Sequence, residues 1–284
     1  MKIYERASAK INLSLDVLRK REDGYHEVEM VMTMVDLADR LEMEDLERDT
    51  IILASQSGYI PLDEKNLAFQ AAKLIKKRYN VTRGVYIHLD KHIPVAAGLA
   101  GGSSDAAATL RGLNRLWDLN IPSTELEALA AELGSDIPFC VRCGTAIARG
   151  RGELLQSIDS PPSSWIVLAK LPFSVSTADV YRHYDAQKMG QKKYTNDVLR
   201  AIQSKNYGLL CRSMGNALEE VTLPMHPQVR QLKDLMLRLG VDASLMSGSG
   251  PTVFALVQKE GKAERVVNGL RGFCREVHAV RLLV

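Results

Sequence analysis

The chain has 284 residues, 46% hydrophobic and 25% charged, an ordinary globular composition that excludes a disordered or low-complexity chain. Its 37 basic and 34 acidic residues leave a net charge of +3, too mild and evenly mixed for a nucleic-acid-binding stripe. There is no run of ~18 apolar residues to span a membrane, and Met1 to Ala7 lacks the apolar core of a signal peptide, so a cytoplasmic protein is expected.

From Lys10 to Arg19, Ile11, Leu13, Leu15 and Val17 alternate with Lys10, Asn12, Ser14 and Asp16, which predicts a half-buried strand. Asp23-Gly24 signals a turn, Glu27 to Leu37 reads as a second strand, and Leu41 to Leu53 as further strand. Asp63 stands where it can cap a helix over Lys65 to Arg78, whose apolar stripe is Leu67, Ala71, Leu74 and Ile75. Val85, Ile87 and Leu89 alternate as a strand that leads into Pro94 and a loop of small residues. After Ser104 a long helix is expected, with Leu110, Leu113, Leu116 and Trp117 at helical spacing. A shorter helix follows, with Thr124 and Glu127 in capping-box spacing and Gly134 just past its end.

The run Ser157 to Ser164, Ser-Ile-Asp-Ser-Pro-Pro-Ser-Ser, is the expected domain boundary and divides the chain into 1–158 and 159–284. Beyond it, strands are expected over Trp165–Ala169, Val253–Val257 and Val277–Leu283. Helices are expected over Asp197–Ser204, Tyr207–Val221, Pro227–Leu239 and Lys262–Leu270. Helices and strands mix without a regular alternation, which points to a two-domain α+β protein. Cys140 and Cys143 form a C-x-x-C pair, but Cys211 and Cys274 stand alone. A four-ligand zinc site is therefore unsupported, and the thiols read as small apolar residues.

The most informative stretch is Pro94-Val95-Ala96-Ala97-Gly98-Leu99-Ala100-Gly101-Gly102-Ser103-Ser104, between a strand and a helix. Small residues let the backbone approach a ligand, and the first amides of a helix have no internal partner. With the helix dipole they form a site for an anion, above all a polyphosphate, to which Ser103 and Ser104 add hydroxyls. The loop is neither a Walker A nor a G-x-G-x-x-G motif. The alternative is a tight turn whose serine caps the helix. Asp136, after Gly134 and before Pro138, reads either as a helix N-cap or as a base for a hydroxyl proton. An ammonium would hold such a base ionised, and Lys10 is one candidate. Ser247-Gly248-Ser249-Gly250, ahead of the Val253 strand, reads as an anion nest or a hairpin turn.

Three separated motifs now align: Ala7-Ser8-Ala9-Lys10-Ile11-Asn12-Leu13, the Pro94–Ser104 loop, and Met246–Gly250 with its strand. Together they resemble the GHMP small-molecule kinases, which include galactokinase, homoserine kinase and mevalonate kinase. The resemblance implies an N-terminal domain like that of ribosomal protein S5 and a ferredoxin-like C-terminal domain. It implies transfer of the γ-phosphoryl group of ATP to an alcohol, with Mg2+ accompanying the nucleotide and its protein ligands unassigned. Asp136 would be the base, with Lys10 as its partner, and Pro94–Ser104 would hold the ATP phosphates. Asn66 and Lys91 would lie at the adenine end. Within the family, Arg21 to Glu27, Gly134 to Pro138 and Ser176-Thr177 ahead of Tyr181 point to a cytidyl substrate. The acceptor implied is the tertiary 2-hydroxyl of a methylerythritol unit carrying cytidine diphosphate. Tyr25, His26 and Tyr181 would form its cytosine pocket, an aromatic sandwich with an edge-reading histidine, while Asn12 and Thr177 would touch the substrate. Ala96, Ala97 and Ala100 stand where many relatives carry glycine. The rival readings are a homoserine- or mevalonate-type kinase and a non-catalytic nucleotide- or RNA-binding protein.

Overall fold

The computed structural model describes residues 1–185, 189 and 192–283. In chain order its elements begin with β1 (Lys2–Lys20), β2 (His26–Leu46), β3 (Ile51–Ala54), α1 (Leu67–Tyr79), β4 (Gly84–Asp90) and α2 (Gly101–Leu116). They continue with α3 (Ser123–Leu133), α4 (Ile137–Arg142), β5 (Thr145–Arg149), β6 (Leu154–Ser157), β7 (Trp165–Lys170) and α5 (Thr177–His183). Next come α6 (Thr195–Gln203), α7 (Tyr207–Ser213), β8 (Gly215–Asn216), α8 (Glu219–Met225) and α9 (Pro227–Arg238). The last are β9 (Ala243–Met246), β10 (Val253–Val257), α10 (Glu260–Leu270) and β11 (Glu276–Arg281). Two compact units form: Met1–Ala9, Leu37–Val95 and Ala100–Cys143 make the first, and Lys10–Asp36, Ala96–Leu99 and Gly144–Val284 the second. The boundary expected at 158/159 falls inside the second unit, between β6 and β7.

In the first unit the strands run in the order β3-β4-β2-β1. β4 lies antiparallel to β2, from Arg40 opposite Asp90 to Leu46 opposite Gly84, and β3 is parallel to β4. Val85, Ile87 and Leu89 are fully buried, as their alternation predicted. α1 packs on α2, and α3 and α4 pack on each other and on α2. Both helices bury small residues, Ala68, Ala71 and Ala72 on α1 and Ala106, Ala107 and Ala108 on α2. Two expected caps differ. α1 is capped by Asn66, whose extended backbone lets Oδ1 accept from Ala68 N at 2.9 Å, while Asp63 accepts from Lys65 N in the preceding turn. α3 opens at Ser123 after Pro122 without a side-chain cap, because Glu127 is drawn to Arg142 at 2.5 Å; Gly134 ends it as expected.

The second unit holds a four-stranded antiparallel sheet in the order β11-β7-β10-β9. α9 and α10 pack on it, giving the ferredoxin-like succession β7-α9-β9-β10-α10-β11. Here the later half of β1 pairs with β8, and the first half of β2 with β5, which in turn pairs with β6. β10 is fully buried along Val253–Val257, and an unbroken apolar run suits a strand covered on both faces. The single helix expected over Tyr207–Val221 is broken. Gly215 and Asn216 leave the helix to pair with Ser14 and Leu15 of β1, and a side chain at Gly215 would fall on the Tyr194 ring. β1 also departs from expectation: Lys10, Asn12, Ser14 and Asp16 are as buried as the apolar face. No helix among the described residues is long and apolar enough to cross a membrane.

Candidate active site

The buried polar row of β1 organises the second unit. Lys10 Nζ donates to Asn12 Oδ1 at 2.8 Å, and Asn12 Nδ2 points at Met30 Sδ, 3.1 Å away. Further along, Ser14 shares a hydrogen bond with Thr195, and Asp16 accepts from the amides of Tyr194 and Thr195, so this half of the row anchors the start of α6. The Lys10 amide donates to Leu99 O at 3.1 Å, which ties the small-residue loop to β1. The glycine loop between β9 and β10 meets the same place: Ser247 Oγ donates to Gly98 O at 2.9 Å. Gly98 has φ +73°, and a Cβ there would collide with the Ser247 carbonyl and lie 3.2 Å from Gly250 O. Gly248 (φ +56°) lies against the same loop without a clash, its virtual Cβ 3.4 Å from Gly98 O and 3.8 Å from Asn12 Oδ1. Asn216 Nδ2 holds this loop through Met246 O and Gly248 O, and Thr222 and Thr177 hold Ser249. Parts of the three motifs, around Lys10, Gly98 and Ser247, therefore meet within this unit.

In the first unit α2 opens at Gly101, inside the Pro94–Ser104 stretch and earlier than the start after Ser104 that the spacing predicted. Ala100, its N-cap residue, has φ 57° and ψ 30°, and no side chain caps the helix, so the first amides face outward. Ser104 is buried and donates to Ser8 O at 2.7 Å, with Cys140 Sγ 3.3 Å away; Ser103 is half-buried. Asn66 uses Oδ1 on Ala68 N and Nδ2 on Pro61 O. Lys91 is buried between Asp39 and Asp105. Asp136 precedes α4 in αR backbone, and its carboxylate does not cap that helix. The four cysteines are free thiols. Among the described residues no group of three or more His, Cys, Asp or Glu side chains could hold a metal ion.

Ala96 and Ala100 both sit in the left-handed region, with φ 51° and 57°. An L-residue pays about 1–2 kcal/mol there, and glycine returns roughly 0.5–1 kcal/mol of that as unfolded-chain entropy. Ala100→Gly should therefore raise the melting temperature by about 1–3 °C, read by calorimetry. A fall would mean that the backbone there carries no strain.

An aromatic group lies elsewhere in the second unit. The His26 and Tyr181 rings stand 5.2 Å apart at 32°, and Tyr184 meets His26 edge-on at 6.3 Å. Tyr25 is more than half exposed, with the Arg151 guanidinium 5.0 Å from its ring centre. Burial, with Lys20 behind it, pushes His26 below its ordinary 6.5, so the folded protein holds the ring neutral.

Comparison with known proteins decides the family. The GHMP kinases N terminal domain matches residues 66–144, and the GHMP kinases C terminal domain matches 198–276. A 4-diphosphocytidyl-2-C-methyl-D-erythritol kinase from Bacillus pumilus is 58% identical over 283 residues, covering 100% of this chain and 98% of that protein. The protein of the same name from Bacillus subtilis is 57% identical, with the same coverage. The chain belongs to the GHMP kinases. A crystal structure of 4-(cytidine 5'-diphospho)-2C-methyl-D-erythritol kinase superposes on this GHMP kinase with TM-score 0.85 at 35% identity, covering 99% of both chains.

In this GHMP kinase the second unit gathers Lys10, Asn12, the loop at Gly98 and Thr177, and separately His26 with Tyr181. Tyr25 carries the Arg151 guanidinium over its ring. Sequence reasoning missed Asn216, Asp39 and Arg151. Asn216 had one local signal, the Met214-Gly215-Asn216 interruption between two helical stretches.

Proposed function

We propose that this GHMP kinase transfers the γ-phosphoryl group of ATP to the tertiary 2-hydroxyl of 4-diphosphocytidyl-2-C-methyl-D-erythritol, giving the 2-phosphate and ADP. Support comes first from whole-length relatives of that name at 57–58% identity, and next from the meeting of Lys10, Gly98 and the Ser247–Gly250 loop. In the reaction the acceptor oxygen bonds to the γ-phosphorus as the bond to the β–γ bridging oxygen breaks. Asp136 takes the hydroxyl proton, and Lys10 steadies the charge that builds on the transferring group. Pro94–Ser104 holds the phosphates through backbone amides, with Asn66 and Lys91 on the nucleotide side. Asn12 and Thr177 meet the polyol part, and Tyr25, His26 and Tyr181 take the cytosine. Residues 1–158 and 159–284 are the two domains of this reading, and the cytoplasm its compartment. Magnesium is a hard cation that binds one or two carboxylates and keeps phosphate or water oxygens around it. In this reading it enters as the companion of the nucleotide, neutralising phosphate charge.

Coupled ADP release with the cytidyl substrate, mevalonate and homoserine in parallel tests the proposal. Turnover of the cytidyl compound alone is expected; turnover of either other alcohol without it overturns the reading. Tyr25→Ala should raise the KM for the cytidyl substrate by about two- to tenfold, on the order of the 0.5–1.5 kcal/mol of one aromatic contact. An unchanged KM removes Tyr25 from the pocket.

A pH effect follows from His26. The neutral ring contributes stability that is complete above its unfolded value of 6.5 and is lost as pH falls through the lower folded value. Between pH 7 and pH 5 the wild-type melting temperature should drop more than that of His26→Gln. Parallel curves would show that His26 is not held neutral.

A further inference from the structure

The turn after β4 carries a buried ionic cluster around Lys91, the residue placed on the nucleotide side. Asp39 is fully buried, and its Oδ1 accepts from His92 N at 2.6 Å and from Ile93 N at 2.8 Å. The Lys91 ammonium, with its side chain only 6% exposed, donates to Asp39 Oδ2 and, at 2.7 Å, to Asp105 Oδ2. Asp105 lies in the second turn of α2, and its Oδ1 is buried without a hydrogen-bond partner. Gly101, where α2 begins, sits directly on this cluster: a Cβ there would lie 3.1 Å from Ile93 Cγ2 and 3.4 Å from Lys91 Nζ. Asp39 thus fixes the strand-side flank of the small-residue loop, Asp105 belongs to the helix-side flank, and one ammonium joins them.

We propose that the Asp39–Lys91–Asp105 cluster is a positioning device that holds the two flanks of the phosphate loop at the spacing needed to grip a triphosphate, and that Lys91 serves ATP through this cluster and not by contact with the base. The proposal rests on the reading that the loop binds ATP phosphates. Lys91 is suited to this work because burying one ammonium is costly unless it is paired, so the side chain stays where two carboxylates meet it. An ammonium so committed has little freedom to reach a ligand. The cluster carries two carboxylates for one cation. Burial, with Asp39 adding and Lys91 opposing, raises Asp105 to about 8, so near neutrality its acid form is well populated and the negative charge behind the phosphate site is reduced. A neutral amide should therefore replace Asp105 where an alanine cannot.

Calorimetric binding of ATP and of inorganic tripolyphosphate, each with magnesium, tests this in wild type, Lys91→Met, Asp105→Asn and Asp105→Ala. Tripolyphosphate has no base, so it separates the two roles of Lys91. Lys91→Met and Asp105→Ala should weaken both ligands alike, by about tenfold or more. Asp105→Asn should stay within about threefold of wild type, and the KM of the alcohol substrate should not move in any variant. The proposal falls if Lys91→Met weakens ATP but not tripolyphosphate, since Lys91 then touches the base. It falls too if Asp105→Ala lowers the melting temperature with both affinities intact, which is the mark of a merely structural cluster. Wild-type protein that binds ATP but not tripolyphosphate overturns the phosphate-loop reading itself, a failure visible before any variant is made.

Discussion

Replacing Asp136 by alanine is expected to lower kcat by about 10²–10⁴-fold, the usual contribution of a general base. In free energy this is about 3–5 kcal/mol of lost transition-state stabilisation. The affinity for ATP should stay within about twofold, because the base acts on the acceptor hydroxyl and not on the nucleotide. The side chain does not cap α4, so the substitution removes no helix cap. Single-turnover phosphoryl transfer with saturating substrates isolates the chemical step. Turnover surviving within about tenfold would show that Asp136 is not the base, and Lys10→Met would then become the first variant to examine.

Gly98→Ala should be the most damaging small substitution in the loop. Two effects add. The left-handed backbone at φ +73° costs an L-residue about 1–2 kcal/mol, and the new methyl would run into the carbonyl of Ser247. Backbone on both sides leaves no flexible side chain to give way, so roughly 3 kcal/mol of destabilisation is expected, alongside at least a tenfold rise in the KM for ATP. Ala96 and Ala100 supply an internal control: both keep a methyl in left-handed backbone, so the dihedral alone is tolerated in this loop. Equal stability of Gly98→Ala and wild type in calorimetry would mean that the Ser247 loop does not press on Gly98. The test is sharp because, of the glycines in the Pro94–Ser104 loop, Gly98 alone combines a left-handed dihedral with a blocked Cβ.

Much of this was visible in the chain itself, where the pattern was local. Val253–Val257 was legible to the residue, because an unbroken apolar run bounded by a glycine loop has few other uses. The small-residue loop and its helix were legible for the same reason. What the sequence hid was long-range. The alternation in β1 revealed a polar face but not what covers it, and part of the cover comes from Thr195, paired with Ser14. Tyr207–Val221 has helical spacing on both sides of Gly215, and only pairing with Ser14 and Leu15 explains the break. Thr124 and Glu127 matched a capping box until Arg142 claimed the glutamate. Asp39 carries no local signal and Lys91 draws notice only through the family resemblance; their burial is a property of three segments brought together.

The two long strands have a consequence for dissecting the protein. The chain passes from one unit to the other five times, twice within the span of β1 and β2. No single cut therefore releases either unit whole. A fragment holding residues 66–144 alone would carry β4 without Arg40–Leu46, the segment that satisfies one side of its backbone. Such an orphaned edge invites pairing with other chains. Expression of that fragment should yield aggregate rather than a folded half of this kinase.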